Sequence, residues 1–298
     1  MAVCAWRKDR GLGTGDWGLD RETVTKYSAK ALGYSAPTIA HDFARLSESA
    51  AEDANASIAA EVPVALVYNA KPYVVMMCTP ADLEDFAVGF SVSEGIVLSA
   101  ADVKRTAVVK YARGIEVQIE IPPDAAERLA ERGRTLAGRT GCGLCGVEVI
   151  DEALRESLPV RSRLTVPRSA LFSAGEALGR HQPLNRETNS IHAAAWARPD
   201  GTLHTVREDV GRHNALDKVI GALARSGTDA STGFLLVTSR ASYELVQKAA
   251  AANVGVLAAV SRPTALAIQM ADDAGVALVG LLRGKTANVY SHRERIAG

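Results

Sequence analysis

The sequence predicts an α+β domain followed by an α/β domain, and three observations carry that prediction. Between residues 62 and 132, paired apolar runs are followed by helical patterns, the rhythm of a small α+β unit. Between residues 191 and 282, continuous apolar runs alternate with helices, as in a mostly parallel sheet covered on both faces. The 298-residue length suits two domains, and a 47% hydrophobic share fills two cores. The domains run from 58 to 165 and from 166 to 298, behind a leader of residues 1–57.

The leader holds Gly11, Gly13, Gly15 and Gly18, then a Ser/Ala/Glu-rich stretch from Ser47 to Ser57. It reads as largely flexible, with a short helix near Ile39 to Leu46. Order begins at Val62. Val62 to Tyr68 and Tyr73 to Cys78 read as a hairpin across the turn Asn69 to Pro72. Thr79 and Pro80 supply an N-cap and an N1 proline for a helix from Ala81 to Glu94, which stops at Gly95. Strands follow at Val103 to Tyr111 and Ile115 to Ile121, then a charged helix from Ala125 to Arg132.

In the second half, Ile191 to Ala197 and Thr202 to Arg207 form a hairpin around Pro199-Asp200-Gly201. A helix from Asn214 to Arg225 leads into three strands separated by two helices. The strands are Phe234 to Thr238, Val254 to Val260 and Val276 to Leu282; the helices between them are Tyr243 to Ala252 and Ala265 to Ala274. Right-handed crossovers place the three strand ends along one edge.

Composition narrows the class. Lys plus Arg and Asp plus Glu both total 34, so net charge is zero and neither a nucleic-acid nor a membrane-surface protein is expected. No apolar run approaches the ~18 residues that span a bilayer. Met1 to Trp17 has no apolar segment of a secretory signal. Four cysteines in a chain this long build no disulfide framework, so a cytoplasmic protein with free thiols is expected.

Cys142 and Cys145 sit in Gly141-Cys-Gly-Leu-Cys-Gly146, with Gly138 nearby, a loop stripped of side chains around both sulfurs. Val147 to Leu154 reads as a helix start, which lowers a neighbouring thiol pKa; Arg134 and Arg139 act in the same direction. Three readings compete. Zinc needs four ligands, and neither Cys4, Cys78 nor a paired histidine completes a set. A thioredoxin-like pair belongs after an early strand, not between domains. Persulfide chemistry, which needs an exposed thiolate on a movable loop, fits best. Cys78 reads as core, and Cys4 as incidental.

The second constellation is the strand edge. The loops Thr238-Ser-Arg-Ala-Ser242, Ser261-Arg-Pro-Thr264 and Arg283-Gly-Lys-Thr286 end successive strands, and the first two open helices. Backbone N–H groups, hydroxyls and the cations Arg240, Arg262, Arg283 and Lys285 would meet there, as a phosphate or pyrophosphate requires. Serine and threonine are also ordinary N-caps, which explains each loop taken singly. A third cluster, Arg207 to Asp217, crowds Glu208, Asp209, Arg212, His213 and Asp217 beside this edge, with Asp209 placed to cap the next helix. His192 lies in an otherwise apolar strand, where a histidine is usually a satisfied core residue. There is no P-loop and no zinc-deaminase signature.

At these residues the chain resembles the formate dehydrogenase accessory sulfurtransferase (FdhD/NarQ) family. The resemblance rests on Glu61 to Asn69, Thr79 to Phe86, Gly89 to Gly95, Gly141 to Gly146, Arg207 to Lys218, Ser239 to Glu244 and Asn288 to Tyr290. It implies a small α+β domain followed by a cytidine-deaminase-like three-layer α/β sandwich without the zinc motif. It implies a cysteine desulfurase that passes sulfur to Cys142, with Cys145 assisting. It further implies transfer of that sulfur to molybdenum bis(molybdopterin guanine dinucleotide), the bound substrate, for insertion into formate dehydrogenase. The guanine dinucleotide segment falls on Leu281, Leu282, Arg283, Gly284, Lys285 and Thr286, with Ser239, Arg240, His192, Asp209 and His213 as further cofactor contacts. No permanent metal is expected, and a substrate with two nucleotide arms suits a homodimer. The alternative is a molybdenum-cofactor chaperone that transfers no sulfur. Two departures from the pattern stand out. Thr188-Asn-Ser-Ile-His192 replaces a glycine-containing stretch, where Asn189 tolerates a positive φ and Ile191 does not. Asn69-Ala70 replaces the more usual Asn-Gly of a hairpin.

Overall fold

The computed structural model describes residues 36–137 and 159–298. Its first element corrects the reading of the leader: Thr38–Leu46 (β1) and Ala51–Ala59 (β2) form an antiparallel hairpin, in register from Thr38↔Ala59 to Leu46↔Ala51. The Ser/Ala/Glu-rich stretch read as flexible supplies the hairpin's turn and most of its second strand instead. The Ser47 amide donates to the Ala50 carbonyl (2.9 Å), and the Ala50 amide donates to Ser47 Oγ (3.1 Å). Asn55 bonds Asp42 across the strands at 2.6 Å. Strand pairing outweighs the weak helical pattern at Ile39 to Leu46.

The small domain has the expected parts. Val62–Tyr68 (β3), Lys71–Cys78 (β4), Arg105–Tyr111 (β5) and Gly114–Glu120 (β6) form a sheet in the order β4-β3-β6-β5. Leu83–Ser93 (α1) and Pro123–Ala137 (α2) cover one face. Val64, Leu66, Val117 and Ile119 pack there against Phe86, Phe90 and Leu129. The β3–β4 turn places Asn69 (φ 46°) and Ala70 (φ 63°) in the left-handed region, a two-residue hairpin turn built without glycine. Asn69 compensates by bonding both the amide and the carbonyl of Ile121.

Helix α1 begins two residues later than expected, and Thr79 does not cap it. Asp82, at φ 52°, holds the N-cap position without a side-chain bond. The Thr79 hydroxyl instead accepts from the Val210 amide, 131 positions away, because a tertiary partner outcompetes the local cap.

The second domain centres on His192–Ala197 (β8), Leu203–Asp209 (β9), Phe234–Val237 (β10), Val256–Ala259 (β11), Ala277–Arg283 (β12) and Thr286–Val289 (β13). Their order is β13-β12-β11-β10-β8-β9. Strands β10, β11 and β12 are parallel, flanked by antiparallel β8 and β13. The apolar central strands face helices on both sides, giving three layers. Arg168–Arg180 (α3) packs on Ala195, Leu236 and Val279. Arg212–Ser226 (α5), Tyr243–Ala251 (α6) and Ala265–Ala274 (α7) pack on Leu235, Leu257 and Leu278. The sequence reading did not include α3 or the short helix Pro183–Thr188 (α4). The α3 core stripe includes only two large residues, Leu171 and Leu178, alongside Ala170 and Ala174. A two-residue strand, Val166–Pro167 (β7), pairs with Ile296–Ala297 (β14) at the chain end. Asn189 adopts φ 53° at the end of α4, whereas Ile191 is buried with its amide donating to Asn185 Oδ1.

The two cores meet where α1 crosses α5. A Cβ on Gly89 would lie 1.7 Å from the Asp217 carbonyl, and one on Gly221 would lie 1.8 Å from the Asp85 carbonyl. Only glycine allows the two backbones this close. Among the described residues no helix is long and apolar enough to cross a membrane.

Candidate functional site at the strand edge

The mixed sheet brings the predicted edge together. Because β8 runs antiparallel to β10, its first residue, His192, lies beside the end of β10. Thr238 Oγ1 accepts from the Ala193 amide there at 2.9 Å. His192 pairs with Asp209 at the end of β9. Asp209, His192 and the loops after β10, β11 and β12 therefore share one edge, and α5 opens beside it with Arg212 and His213.

The predicted residues divide into surface and support. Arg283, Gly284, Lys285 and Thr286 are exposed in the β12–β13 turn, with Gly284 at φ 55°. Leu281 is half-buried in a bulge at φ 54°, its amide donating to the Ser261 carbonyl. Leu282 is a core residue against α3 and offers a ligand no surface. Ser239 is buried, and Arg240 is exposed. Thr264 is an ordinary N-cap, accepting from the Ala267 amide. Ser242 makes no cap bond; its hydroxyl lies 3.2 Å from His213 Nε2.

Asp209 does not cap α5 by side chain; Gly211 holds that position. Its carboxylate is fully buried and accepts from the amides of Thr79 (3.0 Å) and Gly211 (2.8 Å), from Asn214 Nδ2 (3.0 Å) and from Lys218 Nζ (2.6 Å). Asp209 thus holds the strand end from inside. The first domain is tied to this point, since Lys218 Nζ also donates to the Thr79 carbonyl at 3.1 Å. Cys78 lies in the same pocket, 3.3 Å from Asn214 Nδ2. Burial pushes its thiol pKa far up, so it stays protonated and is not a second reactive sulfur.

Two further ion clusters join the domains. Asp85 on α1 takes Arg207 and Arg225. Asp217 on α5 takes Lys248 (3.0 Å) and Ser93 (2.6 Å), and Lys248 also meets Glu94 at 2.7 Å. Burial raises the Asp217 pKa to about 6 against the opposing pull of Lys248. Every cation of these clusters has a carboxylate. At the edge the balance is reversed: among the described residues Arg212, Arg240, Arg262, Arg283 and Lys285 form no ion pair, and Arg283 Nε donates only to the Val260 carbonyl. The edge carboxylate Glu244 is engaged by His213 at 2.6 Å. Burial, reinforced by Arg212, lowers the His213 pKa, so this short contact is an imidazole N–H donating to the carboxylate.

Residue patterns alone did not reveal the interdomain ties of Thr79, Asp85 and Lys218. The usable signal was Gly89 and Gly221, glycines inside helical patterns that mark a close crossing. Cys142 and Cys145, with the helix start at Val147, lie outside the described residues. Among the described residues no three His, Cys, Asp or Glu side chains gather as a metal site.

Fold and edge together define a mixed α/β protein with several sheets, in which cations without an ion pair gather at one strand edge among the described residues. Residues 59–297 match the model of the FdhD/NarQ family, and the chain belongs to that family. It is 54% identical over 239 residues to "Sulfur carrier protein FdhD" of Xanthomonas euvesicatoria pv. vesicatoria (strain 85-10), covering 80% of this chain and 85% of that one. It is likewise 54% identical to the protein of that name from Cupriavidus necator (strain H16), over 80% and 83% of the two chains. A crystal structure of a putative formate dehydrogenase accessory protein from Desulfotalea psychrophila shares the fold, with a TM-score of 0.69. It has 22% identity and covers 87% of this chain and 99% of that one.

Proposed function

We propose that the protein is a cytoplasmic sulfurtransferase for the molybdenum bis(molybdopterin guanine dinucleotide) cofactor of formate dehydrogenase. The Cys142 thiolate attacks the sulfane sulfur of a cysteine desulfurase persulfide, the S–S bond breaks, and the desulfurase leaves as a thiolate. Cys142 then carries the persulfide; the Cys145 thiolate attacks Cys142 Sγ, the S–S bond of the persulfide breaks, and the outer sulfur leaves at the sulfide level for the molybdenum centre of the bound substrate, with a Cys142–Cys145 disulfide left for a cellular dithiol to reduce. The edge residues Ser239, Arg240, Arg283, Lys285, Thr286, His192 and His213 hold the guanine nucleotide, while Asp209 fixes the strand end behind them. The second domain is read as a cytidine-deaminase-like sandwich turned to nucleotide binding, in a homodimer that presents two such edges.

The observation that carries this reading is the row of unpaired cations at the strand edge. It supports an anion site in a chain that bears the Cys142–Cys145 motif and is related to proteins named sulfur carriers. The test is mass spectrometry after incubation with a desulfurase and cysteine. A one-sulfur adduct is expected on the wild type and is lost in Cys142→Ala, and formate dehydrogenase activity is lost with it. An adduct that persists in Cys142→Ala/Cys145→Ala would overturn the reading. Full dehydrogenase activity with Cys142→Ala would favour the chaperone.

A further inference from the structure

The unpaired cations of the edge are not all at one place. Arg283 follows β12, and Arg212 follows β9, four strands away. At the ordinary spacing of strands in a sheet the two strand ends stand about 19 Å apart, and Arg212 lies three residues beyond its strand, next to His213, whose ring reaches Ser242 after β10. The function proposed above takes His192 and His213 at this end as nucleotide contacts, and gives Arg212, which stands beside them, no role of its own.

Arg212 is the cation whose surroundings most require an outside partner. Its Nε is out of contact with solvent and has no hydrogen-bond partner. Buried donors are almost always satisfied, so this guanidinium is one whose hydrogen-bonding capacity the fold itself leaves unanswered. The neighbouring carboxylates are already engaged. Asp209 has four donors of its own, and Glu244 accepts from His213. Arg212 therefore keeps its full charge, and two imidazoles sense it. Both His192 and His213 are shifted toward the neutral form, by burial first and then, in each case, by Arg212 among the nearby charges.

We propose that Arg212 is a second anion subsite of this edge, one that takes a phosphoryl oxyanion beside His192 and His213. The edge then grips its ligand at two separated points, or takes two oxyanions of one extended ligand. The proposal rests on the nucleotide reading only for the identity of the ligand; the anion chemistry stands on Arg212 itself. An anion seated there cancels the field of Arg212 on both imidazoles, which then gain affinity for protons. The other charges facing them are fixed parts of the fold. These are Asp209 at His192, and Glu244 and Lys248 from α6 with Glu94 from the end of α1 at His213. Binding therefore takes up protons and tightens as pH falls.

The experiment is calorimetric titration of the full chain with inorganic pyrophosphate, with sulfate and with GDP, at pH 6.5 and pH 8. Wild type, Arg212→Gln and Arg283→Gln/Lys285→Gln are compared. The expected result is pyrophosphate binding at least tenfold weaker in Arg212→Gln, and sulfate, which does not itself ionise in this range, binding several-fold tighter to the wild type at the lower pH, with a smaller pH dependence in that variant. Unchanged pyrophosphate binding in Arg212→Gln would overturn the subsite. If that variant still binds GDP normally while Arg283→Gln/Lys285→Gln does not, the nucleotide reading stands without it. A wild type that binds none of these probes would overturn both. Should Arg212→Gln fail to fold, binding heats of the wild type with sulfate, which carries no proton in this range, in two buffers of different ionisation enthalpy decide: proton uptake supports the subsite, and none overturns it.

Discussion

Lys218 Nζ has no exposed surface and meets Asp209, the Thr79 carbonyl and the Glu208 carbonyl at 2.6, 3.1 and 3.3 Å. A buried ammonium is tolerable only because every donor is answered. Lys218→Met leaves the Asp209 carboxylate buried without its cation, a cost of about 3–5 kcal/mol, read as a melting temperature lower by roughly 10 °C. Replacing Asp209 by Leu in the same chain does not restore stability, because the amides of Thr79 and Gly211 and the Asn214 side chain would then lose their acceptor. Calorimetry on both variants checks the pair; a double variant as stable as wild type would show that the charges, not the network, mattered. Nothing local marks these residues. Asp209 reads from sequence as a helix cap and Lys218 as a solvated helix residue, since the partner that decides their role, Thr79, is more than a hundred positions away. Arg212 was visible as one charge among several in its block. Its isolation became apparent only once the neighbouring carboxylates were seen to be committed.

The helix crossing of α1 and α5 depends on Gly89 and Gly221, each of which places its backbone against the other helix. Gly89→Ala must push the helices apart, and overpacking of this kind costs about 1–3 kcal/mol, with more where backbone is met. Gly179→Ala serves as the control, because nothing lies within 4 Å of a Cβ there. That change is neutral or slightly stabilising through helix propensity, and urea unfolding of the two variants measures the contrast. Elements with strong periodicity were legible: α7 runs from Ala265 to Ala274 as predicted, and β3, β10 and β11 fall within a few residues of their expected ends. The misses share a cause. The β1–β2 hairpin has few large apolar residues and exposed strands, so its alternation is faint. Helix α3 relies on alanine at half of its core positions, which gives periodicity little contrast.

At the scale of the molecule, two cores with separate sheets are bound by one helix crossing and three ion clusters centred on Asp85, Asp209 and Asp217. Opening that boundary would strand buried charges on both sides, so neither domain has a cheap way to unfold alone. Calorimetric unfolding is expected as a single transition whose van't Hoff and calorimetric enthalpies agree; two resolved transitions would refute the coupling. The family relationship and the Cys142–Cys145 motif were legible in the sequence because both are local strings of residues. So was the alternation of strands and helices, because apolar periodicity is set along the chain by burial. The tertiary structure decided which residues of the edge face outward and which support it. It turned Asp209 inward and put Leu282 into the core, and among the described residues it left the edge cations Arg212, Arg240, Arg262, Arg283 and Lys285 without carboxylates. Hydrogen-bond satisfaction and charge balance are settled by neighbours in space, and most of those neighbours are distant in the chain.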